Sequence, residues 1–257
     1  MLLRRMTEHV KAQNWTAVGL DFLIVVIGVF IGIQVANWND ARADKKTGRE
    51  YVARIQQELL ANQHDMNTRI AYFTKVKNSG LDALKAWGQP PDTLGEQFII
   101  DSYYATFALR RAIGKDTYNE LLSVGAINSI PDLVVRQRIA EYYRASDGAE
   151  FFLKTIPRYI DSLRTAMPYD VQAALRERGC VGTYYADDTG APTAILPETC
   201  HPNLTDEQIS LTISRLIEAD LEQDLGRAVA DIDVKLMLFH TVIGRSQNLY
   251  DFLEEAK

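Results

Sequence analysis

The stretch AVGLDFLIVVIGVFIGIQVA, from Ala17 to Ala36, constrains this chain more than any other. As a helix it would be roughly 30 Å long, which matches the hydrocarbon core of a bilayer. Only Asp21 and Gln34 interrupt it, and from Phe22 to Ile33 every residue is apolar or glycine. No polar face remains for a soluble helix to show water, so length and composition favour a membrane span over a buried core helix. A cleaved signal peptide is the other reading, because Arg4, Arg5 and Lys11 precede the run and Ala41-Arg42-Ala43 has the small-x-small form of a cleavage site. That site lies too far beyond the apolar run. Trp15 and Trp38 flank it, as amphipathic rings do at the two membrane interfaces. The expected organisation is a cytoplasmic arm over 1–16, a transmembrane helix over 17–36 and one extramembrane domain over 37–257. The bilayer is the first expected partner.

At about 100° per residue, Asp21, Gly28, Gly32 and Ala36 fall along one stripe of the span. Gly28-Val29-Phe30-Ile31-Gly32 is a small-xxx-small motif, which lets two helix backbones approach and predicts a helix–helix interface. The chain is therefore expected to form a homo-oligomer or to join a larger membrane complex. Asp21 sits about one turn inside the span, where a carboxylate is costly. It either snorkels toward the cytoplasmic headgroups or serves as a proton or cation site between helices.

Basic residues stand on both sides of the run, with Arg42, Lys45, Lys46 and Arg49 following it, so flanking charge does not decide orientation. Long domains translocate largely regardless of such charge, which favours an N-terminus inside and a domain in the periplasm of a bacterial inner-membrane protein. The two cysteines, Cys180 and Cys200, bound a Gly- and Pro-rich loop. A disulfide closing it would contribute about 3 kcal/mol in the chain-entropy model and would persist only in an oxidising compartment. Two unrelated thiols are the alternative.

At 257 residues, the chain beyond the anchor suffices for one domain with a real core. From Asp40 on, Tyr51, Ile55, Leu59, Met66, Ile70, Phe73, Leu81 and Leu84 recur at helical spacings through Trp87, where Gly88, Pro90 and Pro91 stop the pattern. The heptad phase drifts across Gln63 to Asn67, which argues for packing within the domain over a coiled coil. Helices are expected at Thr93–Ile113, at Thr117–Val124 capped by Asp116 or Thr117, and at Pro131–Arg144 with Pro131 in first position. A further one over Phe151–Arg178 is broken at Pro157 and Pro168. Thr205-Asp206-Glu207-Gln208 is a capping box opening a final helix to about Glu254, bent at Gly226 and Gly244. The expected fold class is all-α, bundle-like.

Two blocks resemble a family of uncharacterised bacterial membrane proteins, the domain-of-unknown-function group 6090. The first is GLDFLIVVIGVFIGIQVANWND at 19–40, ending in Gln34-x-x-Asn37-Trp38-Asn39 and followed by Tyr51, Glu58 and Leu59. The second is TYNELLSVGAINSIPDLVVRQRIAEYY at 117–143, with Tyr-x-Glu-Leu and Ser-x-Gly patterns. The family usually carries Glu where this chain has Asp21, which preserves an acid, and the cysteine loop is not part of its pattern. The resemblance implies an anchor with a helical ectodomain and no particular activity.

No enzymatic constellation stands out, and no cofactor or metal is expected. The four histidines, His9, His64, His201 and His240, are scattered, and there is no P-loop, dinucleotide fingerprint or Gly-x-Ser-x-Gly. His64-Asp65 reads as a solvated pair, Cys180, Cys200 and His201 as a weak imitation of a metal site, and Asp187-Asp188 as an ordinary acidic turn. Tyr103-Tyr104, Tyr142-Tyr143 and Phe151-Phe152 read as core packing. A net charge of -6 with scattered Lys and Arg argues against nucleic acid, which needs a basic face. Two functions remain: a structural or assembly subunit of an inner-membrane complex, or a transport- or ion-linked accessory subunit using Asp21.

Overall fold

A computed structural model describes residues 15–186 and 192–256. Its dominant element is α1, Trp15–Trp87, an unbroken helix of 73 residues that would extend roughly 110 Å. No proline occurs before Pro90, so nothing separates the apolar run from the domain that follows. Residues 22–46 are exposed on every side, and burial begins at Gly48. This is the one helix among the described residues long and apolar enough to cross a membrane.

Around the second half of α1 lie α2 (Glu96–Tyr104), α3 (Asp116–Ser123), α4 (Leu133–Leu153), α5 (Arg158–Ala166), α6 (Tyr169–Glu177), α7 (Asp206–Glu218) and α8 (Glu222–Glu255). The class is all-α, as expected, with a small antiparallel hairpin of β1 (Thr183–Ala186) and β2 (Pro192–Ile195) inside the cysteine loop, pairing Thr183 with Ile195 and Tyr185 with Thr193. The disulfide Cys180–Cys200 closes that loop, with Cα atoms 5.1 Å apart, so these sulfurs are not metal ligands. Leu196, just past β2, is buried against the middle of α1, and the Lys75 ammonium donates to its carbonyl at 3.3 Å.

The main packing partner of α1 is α8, antiparallel to it. One buried row on α1, Ile55, Leu59, Asn62, Met66, Arg69, Phe73, Val76, Gly80 and Ala83, steps by four and three, with Gln56, Asp65 and Tyr72 buried beside it. On α8 a row of Ile232, Lys235, Phe239, Val242, Ser246, Leu249 and Leu253 has the same step, and Leu225, Ala228 and Val229 are buried before it. This is the 3.5-residue period of coiled-coil packing. The apparent drift near Gln63 came from counting apolar residues only, because Asn62 and Arg69 occupy seam positions. At Gly80 the helices approach so closely that a Cβ would stand 2.7 Å from the Val229 side chain.

Several sequence expectations are corrected. The helix expected over Thr93–Ile113 ends at Tyr104, because side chains on α1 claim the backbone of residues 111–114, as described below. Helix α4 is capped by Asp132, whose carboxylate accepts the Val134 and Val135 amides, so Pro131 lies outside it, and it runs on past Arg144 to Leu153. The expected final helix divides into α7 and α8 at Ala219–Leu221, where Asp220 has φ 48°, and α8 continues through Gly226 and Gly244. The capping box of Thr205 and Gln208 forms as expected. Phe151 and Phe152 are exposed, at 75 and 58 %, whereas the two tyrosine pairs are buried.

Candidate functional site

Two parts of α1 are candidate functional regions, and the residues that sequence reading placed at a helix–helix interface lie in the first. In the first, Gly28 and Gly32 have nothing within 4 Å of where a Cβ would stand, and Ala36 is exposed, so the face is open to a second helix or to lipid. Trp38 is exposed, with the Arg42 guanidinium 5.8 Å from its ring centre. The side chains of Trp15 and Asp21, like residues 187 and 188, lie outside the described residues.

The second part is a polar ladder that sequence reading missed. Tyr51, Arg54, Glu58, Asn62, Asp65 and Arg69 step along α1 by three or four, so they share one side of the helix. Each rung holds the strand of chain from Arg111 to Glu120. At the bottom, the Glu120 carboxylate accepts from Tyr51 Oη at 3.0 Å and from Arg54 Nη1 at 2.9 Å. The Arg54 guanidinium, and secondarily the Tyr51 hydroxyl, hold the Glu120 carboxyl down at about 2, from an ordinary 4.5. One rung up, Glu58 accepts the Thr117 amide at 2.7 Å and bonds to the Tyr143 hydroxyl. That carboxylate, and not Asp116 or Thr117, satisfies the start of α3. Burial and the adjacent Glu58 push the Tyr143 hydroxyl up, so it stays protonated and donates. Its ring stacks on Tyr118 at 4.1 Å.

Above this, Asn62 brackets Gly114 from both sides, donating to its carbonyl at 2.8 Å and accepting its amide at 2.9 Å. The top rung is ionic. Arg69, among the most buried side chains of the protein, donates to the Arg111 and Ala112 carbonyls at 2.8 and 3.1 Å and pairs with Asp65 at 2.7 Å. Arg111 reaches back to the same carboxylate. Asp65 is thus a buried acid between two guanidiniums, which corrects the solvated His64-Asp65 pair; only His64 is exposed.

The ladder ties two segments far apart in the chain, because Tyr51, Arg54 and Glu58 of α1 meet Thr117, Glu120 and Tyr143. The signal in the sequence was polar residues at helical spacing beside an apolar stripe. What it could not show is which distant segment they would hold. The ladder's carboxylates and hydroxyls are occupied by backbone amides and guanidiniums, an arrangement that positions chain and offers little to a substrate. Among the described residues no group of His, Cys, Asp and Glu is arranged to hold a metal ion. A broad, open cleft lined by Arg158, Asp161, Arg215, Glu218 and Asp224 mixes both signs of charge, with Arg158 and Asp224 paired at 3.8 Å. Compared with protein-family models, curated proteins and solved structures, the chain shows no match to any of them.

Proposed function

We propose that this protein is a single-pass structural or assembly subunit of a bacterial inner-membrane complex, with its helical domain on the periplasmic side offering protein–protein contacts. The observation that carries the reading is the continuity of α1. The residues suited to lipid and those that organise the domain core belong to one rigid helix with no hinge between them. A partner bound by the domain is therefore held at a set distance from the membrane. The disulfide supports an oxidising compartment for the domain. Contact surfaces are at hand in the exposed Phe151 and Phe152 on α4 and in a groove where Leu94, Ile209, Ile213 and Ile217 alternate with Asp92, Asp206, Ser210, Ser214 and Glu218. The resemblance of residues 19–40 and 117–143 to anchored helical proteins agrees with this layout.

The test is topology and assembly in the same membranes. The full chain should resist carbonate extraction, and after reduction a membrane-impermeant thiol reagent should label it in intact spheroplasts. Labelling only after lysis would place the domain in the cytoplasm and end this reading. Cross-linking in membranes should then trap oligomers or a constant set of partners, and a protein that stays monomeric and alone refutes an assembly role.

A further inference from the structure

At the end of the domain farthest from the apolar run, α7 and the turn through Pro91 and Leu94 enclose an open groove of about 650 Å³. Its floor is one stripe of α7, Ile209, Ile213 and Ile217 at steps of four, together with Leu94. These residues share an apolar cluster with Trp87, so the groove sits where α1 ends. The wall is the neighbouring stripe of α7, Asp206, Ser210, Ser214 and Glu218, and Asp92 of the turn adds a third acid. All five wall residues are exposed.

Charge gives this groove a sign. No Lys, Arg or His lines it, and none of its three carboxylates has an ion-pair partner among the described residues. The surrounding chain keeps the same sign, with six acids and one base, Arg215, from Pro202 to Asp224. Asp206 suits the start of α7, where the helix dipole is positive, but Glu218 lies in the last turn, where the dipole is negative. A cation brought to that end meets the carboxylate and the dipole acting together.

Resting on the assembly reading, we propose that this groove takes a cationic amphipathic helix of a partner protein. The apolar side of that helix lies on Leu94, Ile209, Ile213 and Ile217, and its Lys or Arg side chains meet Asp92, Asp206 and Glu218. Asp206 and Glu218 stand about 18 Å apart along α7, which matches a partner helix of about twelve residues. A helix satisfies its own backbone groups, whereas an extended peptide would need partners that a floor of isoleucines does not supply. The groove stands roughly 75 Å beyond Ala36 along α1, out of reach of the anchoring bilayer and of the basic arm at 1–16. A second copy in the same membrane would bring its own acidic end to this height, and like charges would oppose the contact.

Ser214→p-benzoylphenylalanine in the full chain puts a photo-cross-linker on the wall, and the adduct formed in native membranes is sequenced by mass spectrometry. It should fall on a second protein, in a segment of about twelve residues with apolar residues three and four apart and an excess of Lys and Arg. Adding Asp92→Lys and Glu218→Lys should cut the adduct about ten-fold. Glu218→Lys places a cation where the α7 dipole favours one, so the thermal midpoint should hold and separate lost contact from lost fold. Asp92→Asn with Glu218→Gln keeps the side-chain sizes and should cut the adduct less, about three-fold. An adduct on a second copy of this chain, on lipid, or on an acidic or uncharged segment overturns the proposal, as does one that both reversals leave at full yield. A chain that traps partners by general cross-linking yet gives no adduct at Ser214 overturns it too, with the assembly reading intact. A chain that traps none by either route loses both.

Discussion

The two halves of α1 obey opposite rules within one continuous helix. From Phe22 to Ile33 apolar residues occupy every direction around the axis and none is buried by protein. From Gly48 to Ala83 only one face is buried, and it includes Asn62 and Arg69, residues a hydropathy scale would place outside. Lipid surrounds a span on all sides and offers no hydrogen bonds, so composition matters there and periodicity does not. Inside the domain a polar residue costs little once its groups are paired, and Asn62 and Arg69 each meet backbone atoms of residues 111–114. Hydrophobicity specifies the first half, and complementarity specifies the second.

The strongest way to break this contrast is at Arg69. Arg69→Ala leaves the Asp65 carboxylate buried with one cation fewer and strips partners from the Arg111 and Ala112 carbonyls, so chemical denaturation of the full chain in detergent should show a loss of about 3 to 5 kcal/mol. Ile31→Ala, which removes more apolar surface, should leave the same transition unmoved. If both variants unfold alike, the two halves are not energetically distinct. Next in size is the disulfide. Cys200→Ser should lower the domain's stability by about 2 to 4 kcal/mol, and a reductant should reproduce the loss in wild type but not in the variant. Native protein with two free thiols would refute the bridge.

A smaller effect belongs to Glu120, whose folded-state carboxyl is held near 2 by Arg54 and Tyr51. A carboxyl with a depressed folded value stabilises the fold fully above its ordinary value and progressively less as pH falls toward the depressed one. Glu120→Gln should therefore lower the unfolding midpoint modestly at pH 7, with the gap from wild type closing between about 4.5 and 2. A gap constant across that range would mean the ladder's lowest rung is not ionic. The smallest effect on folding is expected in the span. Gly32→Leu should leave the domain's stability unchanged while reducing cross-linked oligomers, and Phe30→Leu on the opposite side should reduce neither. Equal oligomer yields for wild type and Gly32→Leu would eliminate packing along Gly28, Gly32 and Ala36. In the same membranes Asp21→Asn should leave oligomers intact; loss of an ion-dependent phenotype would favour the alternative, ion-linked role.

Where a local rule governed, the residues could be read directly. Thr205 and Gln208 cap α7 because a hydroxyl and an amide three residues apart satisfy each other's backbone. Pro157 and Pro168 interrupt the chain between α4, α5 and α6 because a proline nitrogen cannot continue a helix. Where the outcome depended on a distant partner, reading failed. Nothing near Thr117 reveals that Glu58 takes its amide, and nothing near Phe151 reveals that it stays exposed among the described residues. The hairpin was missed because four-residue strands flanked by Gly and Pro look like loop, and they become strands only when Leu196 and Ala194 find the side of α1.

The sequence by itself determined the apolar span and the helical class and marked the cysteine-bounded loop, because composition and local spacing are carried directly by the covalent chain. Only the tertiary structure decided that the span and the domain's core helix share one axis, that α8 returns antiparallel along it, and that a polar ladder holds residues 111–120 against its side. Those features depend on which groups remain unsatisfied after local structure forms. A buried guanidinium or carboxylate takes whatever partner the packing brings within reach, and that partner has no fixed offset in the chain.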